Sequence, residues 1–170
     1  MQISQERLGR LNPRTIPEGL DIRLGTVADV PALVELGREF FALSQFDKLG
    51  AEFSEAQTEK YLTAAIENGF MHHLLATIDG EVIGGLSFYF DASFYKKPLA
   101  ILNHFFLTKE YRRTMIARLL LMSAVDIAKD EQACSFVMPV NSGSKHVNSL
   151  GNLLAKGGFR FSGYIMSKEL

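Results

Sequence analysis

The chain has 170 residues, 47% of them apolar and 22% charged, with a formal net charge of −1. These values describe one compact domain whose core needs no staples, and they supply no overall basic field for nucleic acid. The single cysteine, Cys134, excludes an internal disulfide and points to a reducing, cytoplasmic setting; no apolar run approaches the roughly 20 residues of a membrane span, and the opening MQISQERLGRLNPR lacks the apolar middle of a secretory signal.

Residues 1–19 are polar, carry Pro13 and Pro17, and are expected to form an arm outside a domain spanning 20–170. The alternation of LDIRLG predicts a short strand. Thr26 and Asp29 offer helix-start chemistry, and Pro31, tolerable only in a first turn, favours Asp29 as the cap. Val30, Leu33, Val34, Gly37, Phe40 and Phe41 then recur at helical spacing. After a break at Gly50, Ser54 with Gln57 opens a second helix that runs to about Glu67, before Asn68-Gly69. HLLATI, the Asp79-Gly80 turn and EVIGGLSFYF predict a hairpin, with Gly84-Gly85 marking a bulge or a close backbone approach. Pro98 opens the strand LAILNHFFL. A largely buried helix from about Arg113 to Lys129 follows, then the strand CSFVMPV. The short helix HVNSLGNLLAK ends at Gly157-Gly158, and FRFSGYIMSKEL is the last strand. The order β-α-α-β-β-β-α-β-α-β describes an α/β (α+β) domain, a mixed, mostly antiparallel sheet flanked by helices.

The most informative stretch is FFLTKEYRRTMIARLLL, residues 105–121. A strand passes through a basic turn straight into an apolar helix. Free N–H groups and the positive dipole end at a helix start attract anions, and Arg112 and Arg113 add charge there. A solvated basic turn explains the same residues, and both readings stay open at this point. The stretch resembles the GNAT acetyltransferase superfamily, in which a strand and a turn of the type E-Y-R lead into R-x-x-G-x-G/A at a helix start. Phe105, Phe106 and Leu107 match the strand end. Glu110, Tyr111 and Arg112 match the turn, and Ala117 matches the last small position. Met115 stands where a central glycine is usual, and Arg113 replaces another glycine. The opening strand and helix, the hairpin with Gly84-Gly85-Leu86-Ser87-Phe88, and the HVNSLGNLLAKGGF segment extend the resemblance over about Leu20 to Leu170.

The resemblance implies a GNAT-like fold, acetyl-CoA as cosubstrate, and transfer of an acetyl group to a primary amine by direct attack. It assigns the coenzyme's pyrophosphate to the loop of Arg112, Arg113, Thr114, Met115, Ile116 and Ala117. It assigns the thioester and its arm to the strand end at Phe106 and Leu107, with Asn141 and Ser142 beside the groove and Asn148 on the last helix. The family's frequent strand glutamate is replaced by Asn103 and His104, of which His104 has the pKa of a base; a packed strand histidine is the competing reading. The family's helix tyrosine aligns with Leu154, which leaves Ser149 or water as proton donor. His72-His73 is not read as a metal pair, since adjacent strand residues face opposite ways. Cys134 reads as a buried small thiol. Phe88, Tyr89, Phe90, Phe94 and Tyr95 are candidate groove aromatics, which a core and an interface explain as well, and Glu39 and Asp47 are candidate attractors of a cationic amine or simply solvated surface charges. The alternative is a GNAT-like fold that has lost its reaction at Met115, Leu154 and Asn103 and serves as a virion component or partner-binding module of phage type. A homodimer or a virion assembly partner is expected, with no membrane and no nucleic acid.

Overall fold

The computed structural model describes residues 16–44, 46, 50–112, 114–139 and 147–161, the side chains of 147–150 excepted. Its elements are β1 (Leu20–Leu24), a 3-10 turn (Val27–Asp29), α1 (Val30–Leu43), α2 (Glu55–Glu67), β2 (His72–Ile78), β3 (Glu81–Asp91), β4 (Leu99–Leu107), a second 3-10 turn (Lys109–Tyr111), α3 (Ile116–Asp130), β5 (Ser135–Val137) and α4 (Val147–Lys156). The five strands form one sheet in sequence order; β1 to β4 are successively antiparallel, and β5 runs parallel to β4. Mixed α/β architecture with a mostly antiparallel sheet is therefore what the sequence pattern predicts. The arm up to residue 15 and residues 162–170 of the expected last strand lie outside the described residues, and Phe159–Phe161 carry no strand.

β2 is buried along most of its length because both faces of the sheet are covered. Leu74 and Ala76 pack under α3 together with Ile116, Leu120 and Ala124, the main core. Val30, Val34 and Leu62 form a second, smaller cluster joining α1 to α2. The Asp79-Gly80 turn has φ of 50° and 87°, the left-handed pair a tight hairpin requires.

Both expectations for Gly84-Gly85 hold. Ala76 pairs with Gly84 and Thr77 with Val82, so Ile83 is an extra residue in β3. A Cβ on Gly84 would lie 2.5 Å from Leu107 Cδ2 and 2.6 Å from the Phe106 oxygen. β3 and β4 close up only because that side chain is missing.

Four sequence expectations are corrected. Asp29 holds the N-cap position of α1 as expected, but its side chain makes no bond into the helix: the carboxylate looks back, accepting from the Thr26 amide at 2.8 Å and the Thr26 hydroxyl at 2.9 Å, and from both Arg23 terminal nitrogens at 2.8 and 2.7 Å. α3 starts at Ile116 rather than Arg113, because the preceding residues are spent on tight turns: the Tyr111 amide donates to the Thr108 oxygen and the Thr114 amide to the Tyr111 oxygen. β5 is only three residues long. Cys134 is exposed, since it precedes a short strand that is the edge of the sheet among the described residues.

Candidate active site

The site is built on a break in strand alternation. Along β4, Ala100 and Leu102 point into the main core, so simple period-two reading sends His104 the same way. The β3–β4 register prevents this. Ser87 pairs with His104 while Phe88 pairs with Leu102, which makes Asn103 the extra residue of a bulge. Beyond it the parity flips. Phe105 and Leu107 join the core, while His104 and Phe106 turn to the opposite face.

That face is the floor of a cavity of about 380 Å³ between the sheet and the first two helices. Phe40 and Phe41 of α1, Phe53 and Tyr61 from the α2 side, Phe46 from the intervening segment and Phe106 of β4 give it an aromatic wall. Phe40 sets its ring edge-on to His104 at 5.6 Å and to Phe106 at 6.1 Å between centroids. Among the described residues no Asp, Glu, Lys or Arg lines the cavity.

Gln57, Thr58 and Tyr61 bring polar groups to the helix side of the cavity, and the polar groups of its floor form a row. His73 of β2 pairs with Ser87 of β3, and Ser87 with His104 of β4. Paired residues share a face, so three polar side chains cross the floor over about 10 Å, two strand spacings. Ser87 Oγ lies 3.2 Å from His104 Nδ1. His73 is 6% exposed, and its Nε2 has no hydrogen-bond partner among the described residues. Burial, with the fields of His104 and His72 adding, pushes the His73 pKa down to about 4. His104 is exposed at the cavity mouth, and desolvation by the walls around it moves its pKa in the same direction, downwards. Both imidazoles are therefore neutral at pH 7. His72 stacks on Phe88 on the other face, as alternation requires, and no group of metal ligands occurs among the described residues.

The far edge of β4 is a candidate slot. Leu99 to Ile101 pair with β5, whereas from Leu102 to Leu107 this edge has no strand neighbour among the described residues. An extended, amide-bearing arm fits such an edge, and this is the fit the coenzyme's pantetheine requires. The loop beyond the slot is more closed than a free cradle. Arg112 Nε donates to the Leu107 oxygen at 2.8 Å and its guanidinium sits 5.0 Å over the Phe106 ring, so this side chain braces the strand end. Thr114 donates to Tyr111 through its amide and hydroxyl, and the Ile116 amide donates to Thr114 Oγ1 at 3.3 Å. The Met115 amide meets no protein acceptor among the described residues. Ile116 and Ala117 bury their side chains, which leaves only their backbone toward a ligand.

The other candidates are scattered. Asn103 is exposed on the bulge, its Nδ2 3.9 Å from Met71 Sδ. Arg113, Asn141, Ser142 and Asp47 lie outside the described residues, as do the side chains of Asn148 and Ser149. Leu154 is buried and offers no proton. Glu39 is exposed and does not line the cavity. Of the aromatics from Phe88 to Tyr95 none lines the cavity: Phe88 is core, as the competing reading had it, and Phe94 is 90% exposed. Sequence reading missed His73 and Ser87 as site residues. Only the register that sets them beside His104 reveals them.

A model of the acetyltransferase (GNAT) family matches residues 37–150. Among solved structures, a possible acetyltransferase from Clostridium difficile 630 superposes with a TM-score of 0.71 at 16% identity, over 89% of this chain and 97% of that one. A predicted acetyltransferase from Clostridium acetobutylicum, solved with acetyl-CoA, superposes at 0.65 and 14% identity, over 88% and 95%. An aminoglycoside acetyltransferase from an uncultured soil metagenomic sample, in complex with sisomicin, superposes at 0.69 and 14% identity, over 88% and 96%. At these identities the likeness speaks for the fold. No curated protein sequence matches the chain.

Proposed function

Because the chain belongs to the GNAT acetyltransferase family, we propose that it transfers an acetyl group from acetyl-CoA to a primary amine held over His104. Acetyl-CoA supplies the activated thioester. The edge of β4 at Phe106 and Leu107 would take its arm, and the Met115 amide with the backbone of Thr114, Ile116 and Ala117 would face its diphosphate, once Thr114 Oγ1 rotates away from the Ile116 amide.

His104 takes the proton from the amine. With Nδ1 protonated and donating to Ser87 Oγ, Nε2 keeps its lone pair for the substrate. The lowered pKa leaves this imidazole neutral at physiological pH, with a lone pair free to accept a proton. The apolar walls favour the uncharged amine that attack needs. Solvent reprotonates the departing thiolate in this scheme, since Leu154 carries no acid.

The reading rests on the His104–Ser87 pair, which the bulge sets on the cavity floor beside the open edge of β4. Acetyl-CoA titration by calorimetry followed by a thiol-release assay with an amine panel tests it. We expect binding and turnover, with His104→Gln lowering kcat about a hundredfold or more. No binding at millimolar acetyl-CoA sinks the proposal. That result favours the second reading, a reaction-less GNAT fold used for assembly or partner binding, for which the braced Arg112 and the occupied Thr114 and Ile116 amides speak.

A further inference from the structure

Resting on the acetyltransferase reading, the geometry points to a particular acceptor: a hydrophobic monoamine whose aromatic body lies among the cavity rings and whose far end carries one neutral hydrogen-bonding group that meets His73. Three observations lead there.

The first is charge. Acceptors with several amines are held by carboxylates, because each ammonium must keep a partner when it leaves water. No carboxylate lines this cavity among the described residues, and its two histidines repel cations when protonated and offer no charge when neutral. The second is shape. A cavity of about 380 Å³ walled by Phe40, Phe41, Phe53, Tyr61 and Phe106 holds a bicyclic ring and a short alkyl chain, with contact on most sides.

The third is the order of the polar row. On the acetyltransferase reading the coenzyme's arm runs along β4 at Phe106 and Leu107, next to His104 in the same strand, so the reacting amine belongs at that end. His73 stands two strands further in, about 10 Å away. Its Nε2 is buried and unpartnered inside an apolar wall, which costs free energy unless a ligand atom completes it. One hydroxyl or comparable group at the distal end of the ring does so. A site of this kind rejects the analogue lacking that group more sharply than it would reject one lacking a methyl.

The protein contains no tryptophan, so the fluorescence of an indole amine reports its own binding. Tryptamine and 5-hydroxytryptamine are titrated with the full chain without acetyl-CoA, and sisomicin, a polycation, is titrated by calorimetry. Both indole amines are expected to bind saturably, the hydroxylated one at least fivefold tighter, and sisomicin not at all. His73→Phe should abolish the hydroxyl preference while tryptamine still binds. Gly37→Leu provides a second variant. A Cβ at Gly37 meets Phe53 and Thr58 at ordinary contact distances, and leucine favours a helix, so the fold should hold while the cavity fills and both indole amines bind at least tenfold more weakly. Absence of saturable indole binding below millimolar, tighter binding of sisomicin, or a hydroxyl preference that survives His73→Phe overturns the inference. Indole binding without acetyl transfer overturns the acetyltransferase reading and keeps only the ligand class inferred for the cavity; acetylation of sisomicin without indole binding overturns the ligand class and keeps the acetyltransferase reading.

Discussion

Arg23 and Asp29 set the local energetics where β1 enters α1. The carboxylate is 10% exposed and takes four hydrogen bonds, two from the Arg23 guanidinium and two from Thr26. The Arg23 bonds, then those from Thr26, hold its pKa far below the usual carboxylate range despite partial burial. Asp29→Ala should cost about 2 kcal/mol in urea unfolding, since charge-assisted bonds are lost and Arg23 is left half-buried without its partner. His73 acts in the other direction. Its folded pKa of about 4 lies below the unfolded value near 6.5, so the unfolded chain binds the extra proton between those values. Stability should therefore fall as pH drops from about 6.5 to 4, with a slope from this group of at most about 1.4 kcal/mol per pH unit. Urea titrations across that range should show the slope reduced, not removed, in His73→Phe, because His72 and His104 are lowered as well. A His73→Phe profile identical to that of the parent protein would refute the assignment.

At the scale of elements, two bulges in adjacent strands do most of the positioning. The one at Ile83 brings Gly84 against Phe106 and Leu107, and the one at Asn103 turns His104 out of the core. Gly84 has φ of 156° and no room for a side chain. Gly84→Ala should destabilise the fold by roughly 3 kcal/mol, as overpacking against backbone with strain at a glycine position. Because the clash falls on the strand end that carries the slot, the same change should weaken acetyl-CoA binding in whatever protein remains folded, which calorimetry can measure. Unchanged stability would mean that β3 and β4 can part without cost, contrary to the close approach described. Ser87 offers a gentler probe of the same strands. Ser87→Ala removes the oxygen facing His104 Nδ1 but no packing volume of note. It should lower kcat about tenfold, with KM nearly unchanged, and rescue by Thr is expected because the hydroxyl returns.

For the whole molecule, the sheet separates two tasks. Its α3 face holds the main core, while the face under α1 and α2 keeps a cavity where packing is incomplete. The edge of β4 from Leu102 to Leu107, which has no strand neighbour among the described residues, joins the two functions, because a ligand seated there would bridge β4 and the start of α3. Acetyl-CoA at a hundred times its dissociation constant should add about 2.7 kcal/mol of stability and raise the melting temperature by roughly 5 to 10 °C. Absence of any shift in a thermal melt would count against the coenzyme site as strongly as a failed titration.

Local chemistry determined much of this protein without help. The Ser54 cap, the left-handed Asp79-Gly80 turn, β4 from Leu99 to Leu107 and the buried character of α3 each follow from propensity, turn geometry or apolar periodicity within a few residues. The order of elements, and with it the family resemblance, came from the same signals. The tertiary structure decided what depends on partners distant in the chain. Asp29 had two routes to satisfaction, and Arg23 with Thr26 outcompeted the helix start. His104 reaches the cavity only because Asn103 is extra to the register with β3, and His73 becomes a site residue only because Ser87 stands between them. A period of two predicts which residues share a face until a bulge resets it, and the bulge is a property of the paired strands together. For that reason the fold could be read along the chain, whereas the arrangement of the candidate site emerged only once the strands were laid side by side.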